Sequence, residues 1–516
     1  MKERSRTEYS MINISVGVIG YIINTILGFV CRIVFVKCLS ADYLGVSGLF
    51  TNILTMLSLA ELGVGSAIVY ALYRPLAEHD ENKIASLIKL YGKAYRLIGC
   101  TVLIIGIILI PFLRIIINQQ PDIKESIYFI YGINLFNTVS TYFFSYRGSL
   151  LSAAQQNYIV IGINYIITII QSIFQMIWLV LTHSYLGYLL IQTVGIFIYN
   201  ISISYIAGAR YPCIKNKNIE PLLKEEKGEI FKNVRDLMIY KISGLLVNST
   251  DNILITFFKG LATTGIASNY TLLVNTLNSL LGQIFNSLTG SIGNHNATES
   301  EEKKFEMFNF MNFMNFWIFG WGALGIIFCS SDIVCLCFGD EYVLPIKIPI
   351  IISINFFSVG MMNAVWTYKH TLGLFRYGRF LQIITGIFNI IFSVVLGKYW
   401  GLFGILFATF LARIMTNLWY DPYALYKYGF HKSPLEYLKK YGYFIFVLIV
   451  TAIICYFPMK MLTDIRFINV VIKMIACSLI INCCFGVMLH RYDEFGQVKK
   501  VLGKMRNIYW KVKNRY

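Results

Sequence analysis

Long apolar segments alternate with short polar ones along almost the whole chain. Fourteen of these segments are long enough to cross the ~30 Å hydrocarbon core of a bilayer as α-helices. They cover residues 12–37, 45–72, 91–117, 125–147, 158–182, 185–208, 236–258, 265–290, 308–331, 346–368, 379–398, 401–420, 441–462 and 467–489. The connecting segments are too short for a second folded domain. The pattern therefore predicts an all-α integral membrane protein with about 14 transmembrane helices.

The second apolar segment carries a carboxylate, Glu61, near its middle. A charge at that depth in the hydrocarbon is costly, so we expect Glu61 to face other helices or a water-filled cavity. Asn52, Thr55 and Ser58 precede it at intervals of three residues and would share its side of the helix. Together they predict a polar wall. The alternative is a protonated Glu61 that is hydrogen-bonded between helices.

Polar residues also interrupt three other predicted helices. In the first, Asn24 and Arg32 share one face, although Arg32 is close enough to the outer end to reach the lipid headgroups instead. The seventh contains Asn248 and Asp251, and Asp251 would either pair with a basic group or bind a proton or cation. Arg413 lies near the middle of the twelfth. We predict that these residues, with the carboxylate of the second helix, line a substrate cavity.

Two short patterns recur at nearly the same distance along the chain. The sequence YRGSL at 146–150 closes the fourth predicted helix, and YKHTL at 368–372 closes the tenth, at an offset of 222 residues. LGV at 44–46 opens the second helix and TGI at 264–266 opens the eighth, at an offset of 220 residues. Six helices separate each pair, and an even number keeps both halves in one orientation. We expect two six-helix lobes related by a pseudo-two-fold axis along the membrane normal, plus a C-terminal helix pair.

This repeat divides the chain into five parts. We predict an N-terminal six-helix lobe at 1–209, a basic cytoplasmic linker at 210–235 and a C-terminal six-helix lobe at 236–427. Two accessory helices follow at 428–490, and a basic tail at 491–516 suits anionic lipid headgroups.

The distribution of charge predicts the orientation. The net charge is +18, and most of the 45 Lys and Arg residues fall on the same side of the predicted helices as the N-terminus. Since cytoplasmic loops are enriched in Lys and Arg, both termini are expected in the cytoplasm. Arg147 and Lys369, the basic residues of the repeated pattern, would then lie at a cytoplasmic gate. Because the basic residues are dispersed between apolar segments, they do not indicate nucleic-acid binding.

Motifs for catalysis are missing from the sequence. It has no G-x-x-x-x-G-K-[ST] loop for a nucleotide, and its six His residues are scattered. Most of its 11 Cys residues lie in apolar runs without a zinc-ligand spacing. We therefore expect no catalytic residue, metal or cofactor, and a protein that is not an enzyme. Coupling to protons or Na⁺ is left open, and a membrane polymerase is the alternative from another class.

Four stretches resemble one family of membrane proteins. They are YLGVSGLFTNILTMLSLAELGVGSAI at 43–68, SYRGSLLSAAQQNYI at 145–159, DNILITFFKGLATTGIASNYTLLVNTL at 251–277 and SIGNHNA at 291–297. These stretches are similar to bacterial polysaccharide flippases of the Wzx type. That family belongs to the multidrug/oligosaccharidyl-lipid/polysaccharide (MOP) exporter superfamily. The resemblance covers the core of roughly twelve helices and says little about the glycan.

The resemblance implies a cargo and a location. The cargo would be an undecaprenyl-pyrophosphate-linked oligosaccharide, carried across the bacterial cytoplasmic membrane for capsule or another surface polysaccharide. The partners that the resemblance implies are membrane lipids, a polysaccharide polymerase and glycosyltransferases. Related flippases engage pyrophosphate with cavity arginines, a role for which Arg32 and Arg413 are the candidates by position. Alternatives in the same superfamily are a lipid II flippase and a cation-coupled multidrug exporter, but two cavity arginines favour an anionic cargo.

Overall fold

The computed structural model describes residues 6–498 with several gaps. The gaps are 62–63, 118–120, 155, most of 217–249, 282–299, some positions between 373 and 379, and 463–466. Contacts between Cα atoms divide the chain into two compact units, Met1–Ser268 and Asn269–Tyr516.

The regular structure of the described residues is helical throughout. The helices up to residue 281 are α1 (Arg6–Cys38), α2 (Ala41–Leu57), α3 (Val64–Ala77), α4 (Glu81–Leu109), α5 (Leu113–Ile116), α6 (Ile127–Phe144), α7 (Gly148–Ala153), α8 (Asn157–Thr182), α9 (Tyr185–Arg210) and the helical stretch α10 (250–281). Those that follow are α11 (Glu301–Phe338), α12 (Lys347–Thr371), α13 (Leu381–Trp400), α14 (Leu402–Ile414), α15 (Asn417–Ala424), α16 (Pro434–Met461) and α17 (Phe467–Leu489). Short 3₁₀ turns, including Ser58–Glu61 and Ser145–Arg147, join some of them.

Ten helices in the described part of the chain are long and apolar enough to cross a membrane. They correspond to the first, third, fifth and sixth predicted helices and to the ninth through the fourteenth. The second is divided into α2 and α3, and the fourth is α6. The seventh and eighth lie partly outside the described residues. The predicted class, an all-α membrane protein with about 14 helices, is therefore confirmed.

The second predicted helix is interrupted where its polar ladder ends. The hydroxyl of Thr55 donates to the carbonyl of Thr51, and that of Ser58 donates to the carbonyl of Leu54, at 2.7 and 2.9 Å. Such bonds from side chain to backbone compete with the helix and often bend it. The helix α2 ends at Leu57, and Ser58–Glu61 continues as a 3₁₀ turn. Glu61 thus lies at a break between two helices, rather than in the middle of one as predicted.

The starts of α2 and of the predicted eighth helix touch through their backbones, within the first unit. A Cβ atom placed on Gly45 would lie 2.0 Å from the carbonyl oxygen of Leu261, and one on Gly265 would lie 2.2 Å from that of Ala41. Only glycine allows this approach. The two contacts are equivalent, because both residues of one differ from their counterparts by 220 positions. This is the offset of the sequence repeat.

The second unit is packed around aromatic residues of α11. Phe308, Phe313, Phe316 and Phe319 are essentially inaccessible, and the ring of Phe316 stacks on Phe444 of α16 at 4.3 Å. The predicted accessory helices, α16 and α17, are thus part of this core.

Polar contacts join α11 to α17 as well. The indole nitrogens of Trp317 and Trp321 donate to Asn482 and Ser478, at 2.8 and 2.9 Å. Nearer the other end of the two helices, Lys473 forms an ion pair with Asp332. These bonds attach α17 to α11 over about three turns.

Candidate functional site

Glu61 lies in a network of tyrosines contributed by α4 and α6. The hydroxyl of Tyr95 donates to its carboxylate, and that of Tyr142 contacts both Glu61 and Ser58. In the part of the chain that the structure describes, Glu61 forms no ion pair. The carboxyl group is therefore hydrogen-bonded to phenol groups from two neighbouring helices.

The network continues from Tyr95 away from the carboxylate. Tyr91, one turn earlier on α4, donates to the Tyr95 hydroxyl across 3.2 Å, and its own oxygen lies 3.1 Å from the Ser149 hydroxyl. The ring of Tyr91 also packs edge-on against Tyr146, with centroids 6.2 Å apart. A continuous row of contacting side chains therefore joins Glu61 to the first copy of the repeated pattern.

Arg147 is held by hydroxyl groups. Its Nη1 donates to Ser204 of α9 across 2.7 Å, and its Nε donates to the Tyr146 hydroxyl across 3.3 Å. The guanidinium also lies over the Tyr146 ring, 5.7 Å from the centroid. No carboxylate among the described residues contacts it. This guanidinium keeps its net charge and is half-buried.

Lys369 lies at the matching position of the second unit and has a different partner. Its Nζ forms an ion pair with Asp421, whose carboxylate also accepts from the Trp366 indole across 3.0 Å. The Nζ donates to the backbone carbonyl of Tyr377 as well. Only 12% of the Lys369 side chain and 5% of the Asp421 side chain are exposed. The ammonium is thus neutralised inside the protein.

The structure gives the remaining predicted residues of the first unit separate positions. Arg32, near the end of α1, donates to the hydroxyl of Ser268. Asn24, two turns earlier, is half-buried, and its amide oxygen has no hydrogen-bond partner among the described residues. Asp251 is half-buried at the start of the described stretch α10. Asn248 lies outside the described residues. Neither Arg32 nor Asn24 belongs to the tyrosine network around Glu61.

Arg413 lies at a bend rather than in an unbroken helix. It occupies the last turn of α14, and the chain bends at Thr416 (φ −129°, ψ −92°) before α15 begins. The guanidinium is half-buried in the second unit.

Several residues of these networks were not predicted as site residues. Tyr91 and Tyr95 lie four residues apart on one face of α4, a spacing visible in the sequence, but tyrosines in apolar segments are common. Ser149 belongs to the repeated pattern. Asp421 is an acidic residue in an apolar region, which is the signal that could have identified it.

Comparison with known proteins identifies the fold. No family model matches the sequence, and no curated protein matches it. Among solved structures, the lipid II flippase MurJ in an inward closed conformation has a TM-score of 0.65 at 15% identity, over 92% of this chain and 99% of that one. A mutant of the MATE transporter VcmN from Vibrio cholerae has a TM-score of 0.54 at 12% identity, over 83% and 99%. The chain is therefore a multi-pass membrane protein whose fold is similar to those of this flippase and this MATE transporter.

Proposed function

We propose that this protein is a flippase for an undecaprenyl-pyrophosphate-linked oligosaccharide. It would move the headgroup from the cytoplasmic to the outer leaflet of a bacterial cytoplasmic membrane by alternating access, for capsule or another surface polysaccharide. The observation that carries the proposal is the likeness in fold to a lipid II flippase over nearly the full length of both chains. Lipid II, like the proposed cargo, is a glycan on a polyprenyl pyrophosphate.

The electrostatics of the first unit support an anionic cargo. Arg147 is a half-buried guanidinium bound to hydroxyls rather than to a carboxylate within the described residues. A guanidinium donates paired hydrogen bonds to phosphate oxygens, and a neutral hydroxyl partner yields to phosphate more readily than an ion-pair partner does. Arg32, which contacts Ser268, and Arg413 are further candidates for the pyrophosphate.

The membrane potential would favour the outward movement. At ~2.3 kcal/mol per charge per 100 mV, an inside-negative potential drives an anionic headgroup outward. Asn24, Asn248 and Asp251 would contact the sugar in this proposal, replacing the hydrogen bonds of water. Arg147 and Lys369 would lie at the cytoplasmic end, with both termini in the cytoplasm.

A leaflet-resolved assay tests the function. The purified protein is placed in liposomes that contain a fluorescent polyprenyl-pyrophosphate oligosaccharide, and a membrane-impermeant glycosidase reports the exposed fraction. We expect the protected pool to become accessible when the protein is present, and more slowly with Asp251→Asn. Accessibility equal to that of protein-free liposomes would contradict the proposal.

A second candidate, a lipid II flippase, is favoured by the same structural likeness. Lipid II in the same liposomes distinguishes the two, because we expect faster movement of the oligosaccharide substrate. In cells lacking the protein, a precursor that accumulates on the cytoplasmic leaflet indicates a flippase. Accumulation on the outer leaflet would indicate a polymerase instead.

A further inference from the structure

We propose that Ser149, Tyr91 and Tyr95 form a proton relay that protonates and deprotonates Glu61. The relay rests on the proposed transport function only for its place in a transport cycle. Its chemistry depends on the hydrogen bonds within the first unit.

The direction of the hydrogen bonds follows from counting protons. A hydroxyl has one proton to donate. Tyr95 gives its proton to Glu61, so its oxygen accepts from Tyr91. The proton of Tyr91 is thereby used, so across the 3.1 Å contact Ser149 is the donor. All three hydroxyls therefore donate towards the Glu61 carboxyl group, which accepts from Tyr95.

Burial sets the ends of this relay. Tyr91 and Tyr95 are 1% and 3% exposed, whereas Glu61 and Ser149 are only half-buried. The relay thus joins two half-buried groups through two hydroxyls that are almost fully buried. In such an arrangement a proton moves by transfer between neighbouring oxygens.

The transfer is balanced at every oxygen. Glu61 takes the proton of Tyr95, Tyr95 takes that of Tyr91, and Tyr91 takes that of Ser149. A hydronium ion at the Ser149 end returns a proton to Ser149 and is left as water. One proton moves from solvent to the carboxylate, and no other bond changes.

Among the described residues, two further tyrosines contact members of the relay. Tyr142 of α6 contacts Glu61, and Tyr146 packs against the Tyr91 ring. Arg147, two residues before Ser149, bonds to Tyr146.

Gly65 of α3 closes the relay from a third side. A Cβ atom at this position would lie 3.0 Å from the Tyr91 hydroxyl and 3.2 Å from that of Tyr95. A glycine here lets the backbone approach the two hydroxyls without displacing them. An alanine would press on both oxygens while leaving every hydroxyl in place.

The test follows protonation of Glu61 directly, so it does not depend on flipping. The purified protein is subjected to a pH jump, and time-resolved infrared spectroscopy records the protonated carboxyl band that Glu61→Gln removes. We expect Tyr95→Phe and Tyr91→Phe to slow this band by about tenfold or more, since each removes one transfer step. Ser149→Ala should slow it less, because water can occupy the vacated space.

A matched control and a second variant keep the result interpretable. Tyr131→Phe removes another buried hydroxyl of the same unit, one that donates to the carbonyl of Gly106 at 3.0 Å, and we expect it to protonate Glu61 at the wild-type rate. Gly65→Ala should slow the band without removing a hydroxyl. Wild-type rates in Tyr95→Phe and Tyr91→Phe would overturn the relay and leave the flippase proposal intact. If the wild-type protein does not flip the substrate in liposomes but these variants still slow protonation, the flippase proposal is overturned and the relay is left intact.

Discussion

The repeated pattern that ends the fourth and tenth predicted helices carries a cation in both units, but its surroundings differ. In the first unit Arg147 is held by the hydroxyls of Ser204 and Tyr146. In the second unit Lys369 is paired with the buried carboxylate of Asp421. The side chains are alike in charge, and the contacts that satisfy them are not.

The difference in contacts bears on which of the two cations is suited to bind an anionic ligand. A buried carboxylate partner cancels most of the electrostatic field of an ammonium group. Removing that partner would leave an uncompensated buried charge. A guanidinium bound to neutral hydroxyls retains its field at little cost, because hydroxyls do not cancel it. The contacts therefore favour a structural role for Lys369 and, within the proposed function, a ligand-binding role for Arg147.

The largest loss of stability is expected from a substitution that breaks the ion pair between Lys369 and Asp421. Asp421→Asn removes the charge that neutralises Lys369, whose side chain is only 12% exposed, and leaves the ammonium without a counter-charge. Breaking one partner of a buried ion pair costs about 3–5 kcal/mol. We expect thermal unfolding in detergent to show a loss of this size, the largest among the variants considered.

The double variant sharpens this result. Replacing both partners, Lys369→Met with Asp421→Leu, removes the pair without leaving a lone charge, so most of the loss should be recovered. If the double variant is as unstable as Asp421→Asn, the bond from Trp366 to Asp421 is the contact that matters, and the ion pair is not.

A smaller loss of stability is expected at the backbone contacts that are equivalent in the two halves of the repeat. Gly45→Ala and Gly265→Ala would each place a Cβ atom about 2 Å from a backbone carbonyl oxygen, which has no rotamer to escape into. Overpacking of this kind costs about 1–3 kcal/mol. Because the contacts are equivalent, we expect the two variants to lose similar amounts of stability in the same unfolding assay.

Gly48→Ala is the matched control. It lies on α2 one turn from Gly45, and a Cβ atom there meets nothing within 4 Å. Since alanine favours a helix over glycine by up to about 1 kcal/mol, Gly48→Ala should be neutral or slightly stabilising. A loss at Gly45 without one at Gly265 would show that the two contacts are not equivalent in energy.

The sequence predicted the helices well because the bilayer constrains them strongly. A spanning segment must be long, apolar and helical, so length and hydropathy suffice. The break at Ser58–Glu61 was missed for a local reason. Hydroxyls that bond back to the backbone carry no hydropathy signal, and the run remains apolar across the interruption.

The candidate site was harder to predict, because residue spacing shows which side chains share one face of a helix but not which residues they contact. Glu61 and Arg147 were identified individually, but their link through Tyr91 and Tyr95 depends on how α4 packs against its neighbours. Similarly, the repeat marked Lys369 as the counterpart of Arg147. Only the packing of α15 against α12 brings Asp421 to it and changes its role.

The smallest effect on stability and the clearest effect on transport are expected at Arg147. Arg147→Gln removes the charge but can keep a hydrogen bond to Ser204, so stability should fall by no more than about 0.5–1.5 kcal/mol. Flipping should slow by about tenfold or more, since charged hydrogen bonds are worth about 1.5–3 kcal/mol. Arg147→Lys should retain part of the rate, because an ammonium binds phosphate as a point charge.

The second unit supplies the comparison for this prediction. In the double variant Lys369→Met with Asp421→Leu, a cation is also lost, but one that was already neutralised. We expect its flipping rate per folded molecule to stay near that of the wild type in the liposome assay. An equal loss of rate at both positions would mean that cations at the two copies act alike, and that the hydroxyl contacts of Arg147 do not distinguish it.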